Sequence, residues 1–94
     1  MGHKEVYQQA IKAWGEDLQV LMVFEEMSEL QKALCKYLRR KTSYDLTAII
    51  DELADVEIMV EQMKVLFKCE REFKIVKEHK ISRLIDRLNT RTKE

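Results

Sequence analysis

Apolar residues recur every three to four positions through most of the chain, which is the spacing of amphipathic helices rather than strands. Val6, Tyr7, Ala10, Ile11 and Trp14 share one face of a first helix over Lys4 to Trp14, and Gly15 follows as its C-cap. Asp17 is expected to cap a second helix that runs to about Arg40. Arg39, Arg40 and Lys41 close it with cations suited to the helix dipole. Thr42, Ser43, Tyr44 and Asp45 give the clearest loop signal. A third helix is expected from Leu46 to Lys68, a weak break near Cys69, and a fourth helix over Glu72 to Leu88 with a frayed tail from Thr90 to Glu94. The pattern predicts an all-α fold, an antiparallel helical bundle of about four helices in one domain spanning residues 1–94.

On a wheel of roughly 100° per residue, Val20, Val23, Met27, Leu30, Leu34 and Leu38 form the core stripe of the second helix. Glu26 falls inside that apolar arc and Glu29 at its edge, whereas Glu25, Gln31, Lys32 and Lys36 lie further round, on a solvated face. The third helix is apolar almost all round, with a polar strip of Glu57, Glu61, Lys64 and Lys68. Asp51, Glu52, Asp55 and Gln62 interrupt its apolar surface. Such a helix is buried on most sides. In so short a chain that implies burial against another subunit, so the bundle is expected to be completed by homo-oligomerisation as a dimer or tetramer.

Glu26 and Glu29 are one turn apart, and so are Glu52 and Asp55, so each pair points to one side of its helix. Carboxylates among apolar residues are costly unless they are paired or bind a cation. For the two pairs to meet, the helices must be antiparallel neighbours. The first pair lies roughly 18 Å before the end of the second helix, and the second pair roughly 11 Å into the third. That leaves a mismatch of about one turn for the loop or a longer helix to absorb. All-oxygen ligation points to a hard cation, Mg²⁺ or Mn²⁺. A di-iron carboxylate site needs Glu-x-x-His. Neither His3 nor His79 follows a glutamate at that spacing, which excludes di-iron and His-based zinc.

Composition narrows the function classes. The 94 residues contain no proline, two glycines, and 17 basic against 17 acidic residues. A neutral chain lacks the bulk charge of a general nucleic-acid binder. The longest apolar run, Val20 to Phe24, is far too short to span a bilayer, and no secretory h-region opens the chain. Basic residues of the last helix interleave with core positions, against a membrane-surface helix. Cys35 and Cys69 lack metal or disulfide spacing, so a reduced, cytoplasmic setting is expected.

The sequence EEMSE at Glu25–Glu29, followed by ELAD at Glu52–Asp55, resembles the EExxE…ExxD signature of the MazG-like, all-α NTP pyrophosphohydrolases. The likeness extends from AIKAWG at Ala10–Gly15 to the basic last helix and covers most of the chain. It implies that Glu26, Glu29, Glu52 and Asp55 bind Mg²⁺, with Mn²⁺ a possible substitute. The cation would hold the triphosphate of a small-molecule nucleotide that is hydrolysed to the monophosphate and pyrophosphate. The chemistry agrees: a cation reverses the sign of an acidic site toward phosphate and acidifies bound water. Glu25 either orients or deprotonates the attacking water or belongs to a solvated face. Asp51 either supports the ligands or only starts the helix. Lys80 and Arg83, beside Arg87, are candidate phosphate contacts or a solvated stripe. Gln19 shares a face with Glu26 and is a candidate contact for the base; Trp14 either stacks on the base or is core. The alternative is a non-enzymatic helical interaction module that retains the bundle.

Overall fold

The computed structural model describes residues 1–93 and is all-helical over them, with α1 (His3–Trp14), α2 (Glu16–Arg40), α3 (Ser43–Leu66) and α4 (Glu70–Lys93). The structure confirms the expected four-helix order and moves several boundaries, each for an identifiable reason.

Gly15 closes α1 by donating its N–H to Ile11 O at 2.8 Å, and it also serves as the N-cap of α2. Its φ of 87° and ψ of 158° lie in a region essentially reserved for glycine. Asp17 is therefore not the cap that the sequence pattern suggested. It sits in the first turn of α2 beside Glu16, and no side chain caps that helix.

The turn between α2 and α3 is shorter than expected. Lys41 ends α2 in the left-handed conformation, with its N–H on Tyr37 O, and Thr42 is already the N-cap of α3. The Thr42 hydroxyl accepts from Asp45 N–H at 3.1 Å and donates to Asp45 Oδ2 at 2.6 Å. Thr42 N–H donates to the same Oδ2 at 3.2 Å. This reciprocal capping box draws Ser43, Tyr44 and Asp45 into the helix, so α3 begins at Ser43 instead of Leu46. Arg40 donates to Asp45 Oδ1 and ties the end of α2 to the start of α3. Asp45 is only 2 % exposed.

The break at Cys69 is as expected, but its geometry was hidden. Cys69 N–H reaches back to Lys64 O at 3.0 Å, and Lys68 N–H to Val65 O at 3.2 Å. Together these form a Schellman end to α3, with Lys68 at φ 53° where glycine is usual. α4 extends beyond the expected 72–88 at both ends, because no proline or glycine stops it. The expected frayed tail is helical through Lys93, and Glu94 lies outside the described residues.

The antiparallel α2–α3 pair is the body of the fold, and α1 packs across both. α4 touches the body only through its first turn, against α3 and the Lys4 side chain of α1, and projects away beyond it. Two side-chain contacts secure its first turn: an ion pair of Lys4 with Glu70 at 3.4 Å, and Lys64 lying 4.3 Å from the centre of the Phe73 ring. The radius of gyration is 16.9 Å, against about 12 Å for a compact domain of this length.

Among the described residues the buried apolar side chains are Ala33, Ile49 and Met59 alone. Val20, Val23 and Leu30 of the expected α2 stripe are half-buried, while Met27, Leu34 and Leu38 are exposed. Trp14, at 61 % exposure, is not core. No helix among the described residues is long and apolar enough to cross a membrane.

Thr42→Ala should lower stability by about 0.5–2 kcal/mol, measured by urea unfolding, through loss of the cap. Arg40 and Thr42 hold the Asp45 carboxyl down at about 2 from its ordinary 3.8. A depressed folded pKa gives stability that is present above the unfolded value and lost as pH falls through the folded one. Acid titration followed by circular dichroism should therefore show an Asp45-dependent loss between about pH 4 and pH 2, absent in Asp45→Asn.

Candidate metal centre

With α3 starting three residues earlier than expected and a turn of only Lys41 and Thr42, the mismatch shrinks to about 3 Å, which the turn absorbs. Glu26 now meets Glu52 and Asp55 across the helix pair, and Glu29 shares a groove with Glu52. One carboxylate oxygen each from Glu26, Glu52 and Asp55 lies within 4.8 Å of the others. All three residues are half-buried. Two oxygens on opposite sides of a bound Mg²⁺ stand about 4 Å apart, so the trio fits such a cation after small side-chain movements.

The electrostatics also fit a cation. Burial, then repulsion from Asp55 and Glu52, then Glu25 and Glu29, raises the Glu26 carboxyl above its ordinary 4.5. Burial, then repulsion from Asp55, Asp51 and Glu29, raises Glu52 in the same way. Glu52 Oε2 is buried with no hydrogen-bond partner in the described structure. An unpaired buried carboxylate oxygen is expensive, and a divalent cation is the partner that removes both the orphan and the repulsion.

The remaining candidates divide by position. Glu29 is exposed outside the trio and lines a groove with Glu52. Glu25 and Asp51 are exposed neighbours that add to the negative field. Gln19 is buried at 4 % exposure. Gln62 is also buried, and its Oε1 has no partner. Lys80 and Arg83 are exposed on α4, about two to three turns beyond the first turn by which that helix meets the body. The chain therefore assembles the acidic trio but does not bring the α4 cations to it.

Sequence reasoning passed over Lys32, Lys36 and Tyr44, which line the groove beside Glu29 and Glu52. The available signal was their spacing: Lys32 and Lys36 follow Glu29 by three and seven residues, along one flank of α2.

Comparison with protein-family models, curated proteins and solved structures gives no match to this chain. The functional reading rests on the geometry and on the sequence signature.

Both raised carboxyls contribute stability that is complete below 4.5 and lost as pH rises through their raised values. In chelator, the melting midpoint should therefore climb as pH falls from neutral toward 4.5, before the Asp45 loss begins. Glu52→Gln should raise the midpoint at neutral pH in chelator. Mg²⁺ or Mn²⁺ should raise the wild-type midpoint more than that of the variant. A variant melting below wild type in chelator would contradict unrelieved repulsion at this site.

Proposed function

We propose that this chain is a Mg²⁺-dependent nucleoside triphosphate pyrophosphohydrolase of the MazG-like, all-α kind. The convergence of Glu26, Glu52 and Asp55 from two helices, with one buried oxygen unpartnered, is the observation that carries the reading. These three residues would hold the metal, with Glu29 beside them reaching it directly or through water. When bound, Mg²⁺ would neutralise phosphate charge and supply an acidified water. Glu25, one residue from the trio and exposed, is placed to orient or deprotonate a water at the rim. Water adds to phosphorus, a phosphoanhydride P–O bond breaks, and the products are the nucleoside monophosphate and pyrophosphate. Gln19, buried on the same face as Glu26, offers amide hydrogen bonds to a base.

The working form would be a homodimer or homotetramer. Phe24, Ile50, Leu53 and Ile58 are exposed on α2 and α3, and Ile81, Leu84, Ile85 and Leu88 are exposed on α4. Apolar area of this extent normally marks an interface. A subunit packed on these faces would bring the α4 stripe of Lys80, Arg83 and Arg87 toward an acidic centre that its own body does not reach. The free thiols Cys35 and Cys69 fit a reducing, cytoplasmic setting.

The same exposed surfaces favour a second reading, a helical interaction module without turnover. Pyrophosphate release from a panel of dNTPs and NTPs, with Mg²⁺ and with chelator, separates the two. Metal-dependent release is expected, and Glu52→Gln and Asp55→Asn should abolish it with helical circular dichroism intact. Absence of release across the whole panel would leave the interaction module.

Sedimentation at micromolar concentration should give at least twice the 11.3 kDa monomer mass. If α4 serves a neighbouring centre, Lys80→Met and Arg83→Met should each reduce kcat/KM roughly ten- to hundredfold. Kinetics unchanged in both variants would remove α4 from the site.

A further inference from the structure

The groove between α2 and α3 places Glu29 and Glu52 beside Lys32 and Lys36 with no ion pair between them among the described residues. It measures about 150 Å³ and begins at Glu29 and Glu52, the acidic end. Ala33 and Ala48 lie along it, and their small side chains leave the space that larger residues would fill. Lys32 and Lys36 line its α2 side. Arg40 and Asp45 stand at the turn end and are bound to each other, and Tyr44 is exposed at the rim.

Among the described residues the ion pairs are Lys4–Glu70, Arg40–Asp45 and Lys64–Glu61, and none of them uses Lys32 or Lys36. Glu29 is one turn from Lys32, an ordinary spacing for a helical ion pair, yet no such pair forms. From Glu29 to Lys36 the α2 flank spans roughly 10 Å. A ligand that matches this surface is cationic at one end and anionic along the rest. A divalent metal carrying an oligophosphate chain has that charge distribution. The unpartnered Glu52 Oε2 marks the end at which the metal belongs.

We propose that Lys32 and Lys36 form an oligophosphate subsite continuous with the Glu26–Glu52–Asp55 centre, neutralising the phosphate groups that extend beyond the metal. The proposal rests on the metal-dependent nucleotide reading above and deepens it. It assigns phosphate recognition to cations of the same chain, independently of α4. The two lysines bind the triphosphate directly, and Tyr44 is the outer wall of the groove.

The test uses the intact chain and two separate signals. Mg²⁺–tripolyphosphate binding is measured by calorimetry, and Mn²⁺ binding by electron paramagnetic resonance on the same preparations. In the double variant Lys32→Met/Lys36→Met, tripolyphosphate affinity should fall at least about tenfold, while Mn²⁺ affinity stays within about threefold of wild type. The double variant Lys32→Arg/Lys36→Arg should retain tripolyphosphate binding, which a purely structural role for the aliphatic stems would not require. Tripolyphosphate bound equally by wild type and the methionine variant, with Mn²⁺ binding intact, overturns the subsite and leaves the metal centre standing. Failure of the wild type to bind Mn²⁺ overturns the metal reading and the subsite together. Equal loss of both ligands in the methionine and arginine variants also overturns the subsite, because it reports damage to the helix pair instead.

Discussion

The fold and its acidic centre depend on how α2 and α3 are joined. Asp45 is buried at the junction, closes the capping box with Thr42 and accepts from Arg40 on the preceding helix. That single carboxylate fixes where α3 begins and how it is rotated against α2. Everything further along the pair inherits the resulting register. Ala33 and Ala48 line one groove, Glu26 meets Asp55, and Gln19 and Gln62 are both buried further along the pair. A slip of one residue would turn α3 by about 100° and scatter the carboxylates.

Two charged features of this pair therefore behave in opposite ways. Asp45 is an acid whose ionised form is satisfied, and it stabilises the folded chain. Glu26 and Glu52 are acids whose ionised forms are held close without relief, which opposes folding at neutral pH. Proteins commonly keep such local conflict where a ligand resolves it. The conflict begins about two turns from Asp45, so the satisfied carboxylate at the turn and the unrelieved Glu52 lie at opposite ends of one short groove.

Much of this was legible in the sequence. Period-3.6 patterning gave four helices in order, and two acidic pairs at one-turn spacing within apolar arcs gave three residues of the trio. The legible part depended on local chemistry. What failed depended on geometry that composition hides. Thr42 to Asp45 reads as a loop because its residues favour turns, yet the same hydroxyl and carboxylate close a capping box and lengthen the helix. Lys68 occupies a left-handed position without a glycine to announce it. Lys32 and Lys36 look like ordinary solvated lysines on a wheel, and only the facing alanine on α3 reveals a groove beside them. The exposure of Leu34 and Leu38 was also invisible, since an apolar stripe has the same sequence whether its cover comes from the same chain or from a neighbour.

The most direct measurement on the central centre is anomalous scattering from crystals soaked in Mn²⁺. The expected result is a peak bound by oxygens of Glu26, Glu52 and Asp55 at about 2.0–2.2 Å, with Glu52 Oε2 no longer unpartnered. Strong Mn²⁺ peaks elsewhere with none between α2 and α3, or carboxylates that stay apart at saturating metal, would contradict it.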